Sequence, residues 1–518
     1  MPANVIIARI LTSRPLLDPL KMDIEAFRKA GYAAVDSICD YYATLQDRPV
    51  KAEVLPGYLI DSLPHEAPAQ GEDFSAIAKD FQDKILPGIT HWQHGRFFAY
   101  FPSISTFESM LAELYSASVS NPGFNWICSP ACTELEQVTM DWCARMLGLG
   151  DSFLLEKKQG GGVIMGSASE SALTAAMAAR EKALTYLSEK EGLSIDDARQ
   201  TYGQKLVIYG STQTHSLGLK AAVLLGLTFR AVEVAEADKF ALRGEALRKA
   251  IDRDAADGFV PFFVIATVGT TSTGAVDYIA EIGEVLKQYP TSFLHVDGAW
   301  AGVAYALPDR RDQLRLAELV EYADSFCTNM HKWGLVGFDC SLFFVRDRRN
   351  LTDAFDVTPP YLRSKEADSG AVIDYRNWQI ALGRRFRSIK LWFVLRSYGT
   401  QGFQKHLETG IGQCERLALV IEESPIFELV TTPSLALLCF RLNPRKGYSD
   451  EELDLLNQRL HTRLDVRSDV FLTQTVLKSV ERKFYCLRFA MGGARTTWED
   501  VEKTWEVVVE EGQAVLKG

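Results

Sequence analysis

The sequence predicts an α/β protein with a mostly parallel central sheet, an N-terminal helical arm and a small C-terminal α+β domain. Short apolar runs alternate with helical segments between residues 160 and 345, which is the pattern of a sheet covered by helices on both faces. Before this region, apolar residues recur at helical spacing over 22–47. After about residue 390, helices and strands follow one another in a way that indicates a separate α+β domain.

The N-terminal part of the sequence predicts an arm and not a domain. We expect residues 1–21 to be an extension and residues 22–106 to be a helical and extended arm. Helices are predicted over 22–47 and 73–86, and prolines interrupt the chain between them. Such an arm has little core of its own, so we expect it to pack on another subunit or on the main domain.

The large domain is predicted to span residues 107–389. It has a helix over 131–148, and six apolar runs predict strands over 162–165, 206–209, 229–234, 262–268, 292–296 and 341–345. An alanine-rich helix follows the first strand, and Ser167 with Glu170 has the pattern of a capping box at its start. In sheets of this kind, ligands bind at the carboxyl ends of the strands.

The remaining residues predict a long loop and the small domain. Residues 356–373 are polar and rich in proline, and loops of this length in compact enzymes are often lids. The small domain is predicted to span 390–518, after a helix over 388–398. Its strands are predicted over 427–430, 436–442, 470–472 and 484–490, and its helices over 450–464 and 497–516.

Composition limits the partners of the protein. The formal net charge of -11 argues against nucleic acid and against an anionic membrane as partners. No apolar run reaches membrane-spanning length. The nine cysteines are scattered, so we expect reduced thiols in a cytoplasmic protein, with neither a disulfide framework nor a metal site. The first residues favour a frayed extension over a transit peptide.

One lysine is a candidate nucleophile. Lys332 follows His331 in the tightly spaced run 325–333, shortly before the last apolar strand of the large domain. Burial and neighbouring cations lower the pKa of a lysine amine, and the uncharged amine can form a Schiff base. The alternative is a lysine that reaches the surface beside a core strand.

Other polar residues lie near the ends of strands in the same sheet. Small residues at 160–162 and 166–169 surround a strand and the start of a helix, where N–H groups and serine hydroxyls can hold a phosphate. His215 and Asp297 each follow a strand, where the histidine could stack on a flat ring and the aspartate could pair with a ring nitrogen. Each feature alone could be an ordinary cap or turn. Together with Lys332, they form the set that pyridoxal 5′-phosphate requires.

Several segments also match the motifs of one family, in order: 56–59, 91–102, 129–136, 166–170, 295–297, 329–333 and 383–388. In these segments the chain resembles the aromatic-L-amino-acid decarboxylases, which are group II pyridoxal-phosphate-dependent enzymes. The resemblance covers the chain from about residue 22 to its end. It implies a PLP-dependent transferase-like enzyme of fold type I. It also implies a homodimer with active sites shared between subunits and an N-terminal arm that serves dimerisation.

The resemblance implies a role for each site residue. Lys332 would bind the cofactor as a Schiff base, Asp297 would pair with its pyridine nitrogen, and His215 would stack on its ring. The remaining cofactor contacts would come from Ser167, Ala168, Ser169 and Asn329 at the phosphate, His331 nearby, and Thr267 and Ala299 at the ring. The substrate side chain would lie among Trp92, Tyr100, Phe101, Pro102 and Phe124.

Tyr361, in the predicted lid, is expected to decide the reaction outcome. In the family, the lid tyrosine protonates the substrate carbon after carbon dioxide has left, and a phenol can do this once a closed lid excludes water. Related aldehyde synthases carry phenylalanine there, or asparagine in place of the stacking histidine. This chain keeps Tyr361 and His215, so the resemblance implies a decarboxylase that releases an amine. An aldehyde synthase stays the alternative.

Gly383 bears on the choice of substrate. Family members that accept indole rings carry glycine here, whereas tyrosine-preferring plant members carry serine, which takes room from a bicyclic ring. We therefore expect L-tryptophan or 5-hydroxytryptophan as the favoured substrate, with phenylalanine, tyrosine and dopa as further candidates. The chain departs from the usual family pattern at Gly298, Trp300, Pro122 and Met330. A non-catalytic protein of the same fold is a third interpretation, and the intact catalytic residues argue against it.

Overall fold

The computed structural model describes residues 22–444 and 447–517. The chain divides into two compact units, Met1–His91 and Trp92–Gly518. The extension predicted for residues 1–21 lies outside the described residues. The predicted domain boundaries near residues 106 and 389 stay predictions.

The first unit consists of helices with little buried surface. Its helices are α1 (Ile24–Ala43), α2 (Tyr58–Ser62) and α3 (Phe74–Asp80), the last followed by a π-helical turn, Phe81–Ile85. The helices predicted over 22–47 and 73–86 are therefore present, the second in an irregular form. No residue of α1 is buried, although the helix carries apolar side chains such as Phe27 and Val35. An exposed apolar face of this kind is typical of a surface that binds a partner.

The second unit contains a seven-stranded sheet in the order β1-β7-β6-β5-β4-β2-β3. Its strands are β1 (Gly161–Met165), β2 (Leu206–Ser211), β3 (Thr228–Val232), β4 (Val260–Thr267), β5 (Phe293–Asp297), β6 (Ser325–Asn329) and β7 (Ser341–Val345). β7 runs antiparallel to β1 and β6, and the other neighbouring pairs are parallel. The predicted fold class, a mostly parallel sheet, is confirmed.

Helices connect the strands and cover the sheet. They are α4 (Phe107–Val119), α5 (Pro130–Leu147), α6 (Ala168–Glu191), α7 (Ile195–Tyr202), α8 (Leu217–Leu225), α9 (Gly244–Ala256), α10 (Ile279–Leu286), α11 (Leu316–Tyr322), α12 (Met330–Trp333), α13 (Arg349–Phe355) and α14 (Lys365–Asp368). The buried side of α6 is rich in alanine, and small side chains let this helix lie close to β4, β5 and β6. β1, β5, β6 and β7 are buried at every residue, so both faces of the sheet are covered.

Two local features of the large domain differ from the prediction. The sequence does not identify β6 as a strand, because Phe326 and Cys327 are its only apolar residues. It forms a strand nevertheless, since pairing with β5 and β7 satisfies its backbone and buries it. The predicted capping box is only half formed: Ser167 Oγ accepts the Glu170 N–H at 3.1 Å, but the Glu170 carboxylate accepts the N–H of Gly166 at 2.8 Å.

The C-terminal part forms a four-stranded antiparallel sheet in the order β10-β11-β9-β8. Its elements are α15 (Arg387–Glu422), β8 (Phe427–Leu429), β9 (Leu437–Leu442), α16 (Asp450–Asp465), β10 (Thr473–Lys478), β11 (Lys483–Ala490) and α17 (Trp498–Lys517). The prediction of a strand over 470–472 is wrong. Phe471 makes only an isolated bridge with Phe97, and the strand begins at Thr473. The apolar run is a buried approach to β10, whose own residues are mostly polar.

The structure also bears on the expectations from composition. No helix of the described residues is long and apolar enough to cross a membrane. All nine cysteines are free, and seven of them are buried. Within the described ranges, no three metal-binding side chains come together.

Candidate active site

The carboxyl ends of the parallel strands form the base of a cavity. Thr267 at the end of β4 is paired in register with Asp297 at the end of β5, and Asp297 is paired with Cys327 on β6. The cavity has a volume of about 250 Å³ and is lined by Phe101, Ser167, Ala168, Ser169, His215, Leu217, Thr267, Gly269, Thr271, Asp297, Ala299, Trp300, Asn329, His331 and Lys332. It lies where the fold class predicts a ligand site.

A chain of buried groups holds the Asp297 carboxylate. Its Oδ1 accepts the Ala299 N–H at 2.9 Å and lies 3.9 Å from the Sγ of Cys327. The same sulfur lies 3.6 Å from Nε2 of His295, and Nδ1 of His295 lies 2.8 Å from the Ser325 hydroxyl. The carboxylate is therefore positioned by two direct contacts, with His295 and Ser325 behind Cys327, and it is nearly inaccessible to water except through the cavity.

Lys332 lies on the short helix α12, directly after β6. Its ammonium lies 5.3 Å from the centroid of the Phe101 ring. Burial lowers the pKa of Lys332; Asp297 and Cys327 oppose this effect, and Arg488 adds to it. A lowered pKa means that more of the amine is uncharged near neutral pH, which suits a nucleophile.

Two histidines line the cavity with defined hydrogen bonds. Nδ1 of His331 accepts the Cys340 N–H at 2.8 Å, and Nδ1 of His215 accepts the Leu217 N–H at 3.2 Å. Since Nδ1 is the acceptor in both rings, the proton of each neutral ring is on Nε2. Burial lowers the pKa of His331 to about 4, and the nearby Lys332 adds to this effect. Each ring can therefore offer an Nε2–H donor.

The unpaired polar atoms of the cavity suit a phosphate-bearing aromatic cofactor. The N-terminus of α6, with Ser167, Ala168 and Ser169, lies at the cavity, and its free N–H groups favour an anion. Among the described residues, Thr267 Oγ1 and Asn329 Oδ1 are buried without a hydrogen-bond partner. Buried polar atoms are rarely left unpaired in a complete site. The anion-binding helix end, the buried carboxylate and the lysine fit pyridoxal phosphate.

The residues predicted to bind the cofactor and those predicted to bind the substrate lie in different places. All ten residues predicted for the cofactor line this one cavity, but Phe101 is the only predicted substrate residue that does so. Trp92 and Tyr100 stack on each other with ring centroids 5.7 Å apart, and both are exposed outside the cavity. Pro102 is buried without lining the cavity.

Phe124 and Gly383 lie together on a second surface. The N–H of Arg384, the residue after Gly383, donates to the C=O of Pro122 at 2.7 Å, which ties the two segments together. Phe124 is partly buried and Gly383 is exposed. Neither lines the cofactor cavity of its own chain.

The lid is anchored to the same surface by Arg376. The Arg376 N–H donates to the C=O of Phe124 at 3.0 Å, and its Nη1 donates to the C=O of Val357 at 3.1 Å. The side chain of Arg376 also forms a buried ion pair with Asp374, 3.5 Å between Nη2 and Oδ2. Tyr361 itself is 80 % exposed. Arg376 therefore anchors the predicted lid at Val357, and Tyr361 lies outside the cavity of its own chain.

Sequence reasoning missed an ion pair that holds this surface. Glu136 on α5 and Arg384 are both buried and form two hydrogen bonds, of 2.6 and 2.9 Å. Glu136 also accepts the Ile164 N–H at 2.8 Å, so the pair joins α5, β1 and the segment that carries Gly383. The only signal in the sequence was that both residues lie in segments shared with the resembled family, 129–136 and 383–388.

Replacement of Glu136 by glutamine should destabilise the protein strongly. The amide keeps the shape of the side chain but leaves the Arg384 charge buried and uncompensated, which costs about 3–5 kcal/mol. Urea unfolding of the full-length protein measures this loss in the free energy of unfolding. Glu134→Gln is a matched control, because Glu134 is exposed two residues earlier on α5, and it should change the value by less than about 0.5 kcal/mol. Equal losses in both variants would contradict a special role for the buried pair.

Acid should destabilise the protein through histidines that are buried in the neutral form. Burial lowers the pKa of His295, His331 and His406 to about 4, below the ordinary value near 6.5. Between about pH 6.5 and 4 the unfolded chain binds more protons than the folded one, so stability falls as pH falls, by about 2 kcal/mol per histidine near pH 5. Burial raises the pKa of Asp277 to about 7, so this carboxyl group makes the folded protein more stable as pH falls. It is one group, and the three histidines together outweigh it.

Thermal unfolding at about pH 7 and about pH 5 checks this prediction, since the midpoint should be lower in acid. His406→Gln is the informative variant, because this residue lies on α15 outside the cavity and glutamine does not titrate. Between about pH 7 and about pH 5, the free energy of unfolding of this variant should fall by about 2 kcal/mol less than that of the wild type. An unchanged acid loss would mean that other groups cause it.

Comparison with known proteins identifies the class. The chain matches the pyridoxal-dependent decarboxylase conserved domain over residues 56–443. The crystal structure of Oryza sativa TDC with PLP and tryptamine superimposes with a TM-score of 0.89 at 33% identity, covering 96% of this chain and 99% of that one. The chain therefore belongs to the pyridoxal-dependent decarboxylases, which are lyases with pyridoxal phosphate as cofactor.

Two curated relatives narrow the family. The aromatic-L-amino-acid decarboxylase of Mus musculus is 41% identical over 497 residues, which is 96% of this chain and 99% of the relative. The phenylacetaldehyde synthase of Arabidopsis thaliana is 40% identical over 498 residues, 96% of this chain and 97% of the relative. The protein is thus a member of the aromatic amino-acid decarboxylase family, in which both amine-forming and aldehyde-forming enzymes occur.

Proposed function

We propose that this protein removes the α-carboxylate of aromatic L-amino acids as carbon dioxide and releases the arylalkylamine. L-Tryptophan or 5-hydroxytryptophan is the favoured substrate, and phenylalanine, tyrosine and dopa are further candidates. The observation that carries the proposal is the position of Lys332, which lines the same cavity as Asp297, His215 and the N-terminus of α6.

The proposed roles follow from the contacts of each residue. Bound pyridoxal phosphate supplies an electron-accepting ring that takes up the electron pair left when the carboxylate departs. Asp297 would hold a proton on the ring nitrogen, because a buried carboxylate is stabilised by a positive partner. Lys332 would bind the cofactor covalently through its amine and would then give way to the amine of the substrate. Ser167, Ser169 and Asn329 would hold the phosphate.

Tyr361 would move a proton at the end of the reaction. Its hydroxyl would donate to the substrate carbon that has lost the carboxylate, in a site from which the lid excludes water. His215 would lie on the ring of the cofactor, and Phe101 would border the substrate. The exposure of Tyr361 means that the lid must reach a cavity other than the one described for its own chain, or must move.

We infer that the protein is a homodimer with shared active sites. Apolar side chains are exposed along the predicted lid, next to Gly383 and on α4. They are 48–77 % exposed and comprise Val357, Ile380, Leu382, Phe107, Leu111, Leu114 and Tyr115. Exposed apolar side chains in such number are typical of a subunit interface. In such a dimer, the surface with Phe124 and Gly383 of one subunit would complete the cavity of the other.

An aldehyde synthase is the second candidate. Tyr361 lies outside the cavity, and this position supports the second candidate. A lid that does not close would leave the reacting carbon accessible to oxygen. Such an enzyme consumes oxygen and releases aldehyde, ammonia and hydrogen peroxide with the carbon dioxide. The two candidates therefore differ in products that one assay can measure.

The test uses the purified full-length protein loaded with pyridoxal phosphate. L-Tryptophan, 5-hydroxytryptophan, L-dopa, L-tyrosine and L-phenylalanine are supplied separately, and amine, carbon dioxide and peroxide are quantified together. Amine equal to carbon dioxide, without peroxide, is the expected result. Peroxide and aldehyde in place of amine would support the second candidate, and no carbon dioxide from any substrate would refute both.

Gly383→Ser should shift the substrate preference without destabilising the protein. A Cβ at Gly383 would meet no atom within 4 Å in the chain, so the serine is accommodated. Its side chain would take room from an indole ring, and the kcat/KM ratio of tryptophan to tyrosine should fall roughly tenfold or more. Gly412→Ser, at another exposed glycine with open space, is the control and should leave the ratio unchanged. An unchanged ratio in Gly383→Ser would remove the argument for an indole substrate.

A further inference from the structure

Arg488 is a buried arginine with unsatisfied donors next to the cofactor cavity. It lies on β11, is 4 % exposed, and donates from Nη1 to the Thr473 hydroxyl at 3.3 Å. Its Nε and Nη2 have no hydrogen-bond partner within the described part of the chain, and no carboxylate there forms an ion pair with it. A buried charge without a counter-ion is unfavourable, so its retention calls for a functional reason.

The ring of Phe101 brings Arg488 close to Lys332. The guanidinium carbon lies 5.0 Å from the Phe101 centroid, and the Lys332 ammonium lies 5.3 Å from the same centroid. Both cations are therefore held at one aromatic ring, where each gains from a cation–π contact. Two positive charges beside one ring in a dry site repel each other.

A stack of rings fixes the position of Phe101. Trp300 stacks on it with centroids 4.6 Å apart, and Trp333 stacks on Trp300 at 5.5 Å. Trp300 and Trp333 are fully buried, so the stack cannot yield easily to the repulsion. Packing thus fixes the ring beside which both cations lie.

Of the two cations, only the lysine can relieve the repulsion by losing a proton. The guanidinium stays charged under all physiological conditions, whereas a lysine amine changes its protonation state readily when buried. Asp297 acts in the opposite direction, since its negative charge favours the ammonium form.

We propose that Arg488 is a positioning residue for Lys332, and that its fixed positive charge at the Phe101 ring keeps the lysine amine in the uncharged, nucleophilic form. The inference rests on the proposed role of Lys332 as the residue that binds the cofactor. The other titratable groups that face the two cations are Asp297 on β5, Cys327 on β6, His331 next to Lys332, His215 before α8, Cys439 on β9 and Cys486 on β11. Burial, Asp297 and Cys327 also act on the pKa of Lys332, and Arg488 lowers it.

The test compares Arg488→Met, which removes the charge, with Arg488→Lys, which keeps a cation. The full-length proteins are stripped of cofactor, and the rate of covalent pyridoxal phosphate uptake is followed by absorbance over a range of pH. Removal of the charge should raise the proton affinity of Lys332, so the midpoint of the pH–rate curve should move to higher pH. Uptake near pH 7 should fall and should recover at higher pH. Arg488→Lys should shift the midpoint by less than half as much.

Arg441→Met is the matched control. Arg441 lies on β9 of the same sheet and is also buried, but it has ion pairs with Glu428 and Asp450. It should leave the pH midpoint of uptake unchanged, even where it lowers the thermal stability.

The outcomes separate the inference from the proposed function. A loss of uptake in Arg488→Met that is the same at every pH would refute the inference and would indicate a structural role only. If borohydride reduction of the loaded wild type does not attach the cofactor to Lys332, the proposed function fails first. Attachment to Lys332 with an unchanged midpoint in Arg488→Met overturns the inference alone.

Discussion

Lys332→Ala should lose both the covalent cofactor and the activity. The lysine is the only amine among the side chains that line the cavity, which also contains the Asp297 carboxylate. Removal of a covalent nucleophile commonly lowers turnover by about 10⁴–10⁶-fold, so we expect carbon dioxide release to fall to background. The absorption band of the covalently bound cofactor should disappear, and borohydride should no longer fix the cofactor to the protein.

The control for this prediction is a second buried lysine. Lys390 on α15 is 1 % exposed and lies 2.6 Å from a carboxylate oxygen of Glu113, outside the cofactor cavity. Lys390→Ala should therefore reduce stability and leave the cofactor bond intact. A Lys332→Ala protein that still binds cofactor covalently would contradict the assignment, because another amine would then be the attachment point.

The cofactor cavity could be predicted from sequence because the fold class fixes where strands end. His215 follows β2, Asp297 ends β5 and Lys332 follows β6, and the ends of parallel strands meet at one edge of the sheet. Asn329, at the end of β6, lines the cavity, although the residues of β6 lack the apolar pattern of a strand. Its position depends on pairing with β5 and β7, which a local pattern cannot reveal.

The supporting groups could not be predicted, because they depend on contacts between distant parts of the chain. Glu136 and Arg384 meet across 248 positions, and Arg488 approaches Phe101 from β11 of the C-terminal sheet. In the sequence these residues are ordinary charges, which are most often solvent-exposed. Only the fold shows that they are buried, and burial is what gives each of them a strong effect on its neighbours.

The substrate residues show a second limit of sequence reasoning. Trp92, Tyr100, Phe124 and Gly383 were grouped by resemblance into one pocket, but in a single chain they lie outside the cofactor cavity. The resemblance implies shared active sites, but it does not indicate which residues of the pocket come from which subunit. The exposed apolar surface near Gly383 makes a composite site the simplest physical account, and this can be tested through Tyr361.

Tyr361→Phe should change the product. Without the phenol, the substrate carbon has no positioned proton donor, and amine formation should fall by about 10²–10⁴-fold. Carbon dioxide release should continue with oxygen uptake, and aldehyde, ammonia and peroxide should appear in equal amounts. Tyr375→Phe is the control, because this buried tyrosine donates to the Gly162 C=O outside the cavity, and the variant should still form amine. Unaltered amine formation by Tyr361→Phe would remove the tyrosine from the reaction.

A mixed dimer should show which subunit supplies Tyr361. If the protein is the proposed homodimer, co-expression with two different tags yields dimers of one Lys332→Ala subunit and one Tyr361→Phe subunit. If the lid acts across the interface, one site of this dimer contains the intact lysine of one subunit and the intact tyrosine of the other, so about half of the wild-type amine formation should return. The exposure of Tyr361 outside its own cavity favours this result. No recovery, with aldehyde as the only product, would mean that each lid serves its own subunit and must move inward to do so.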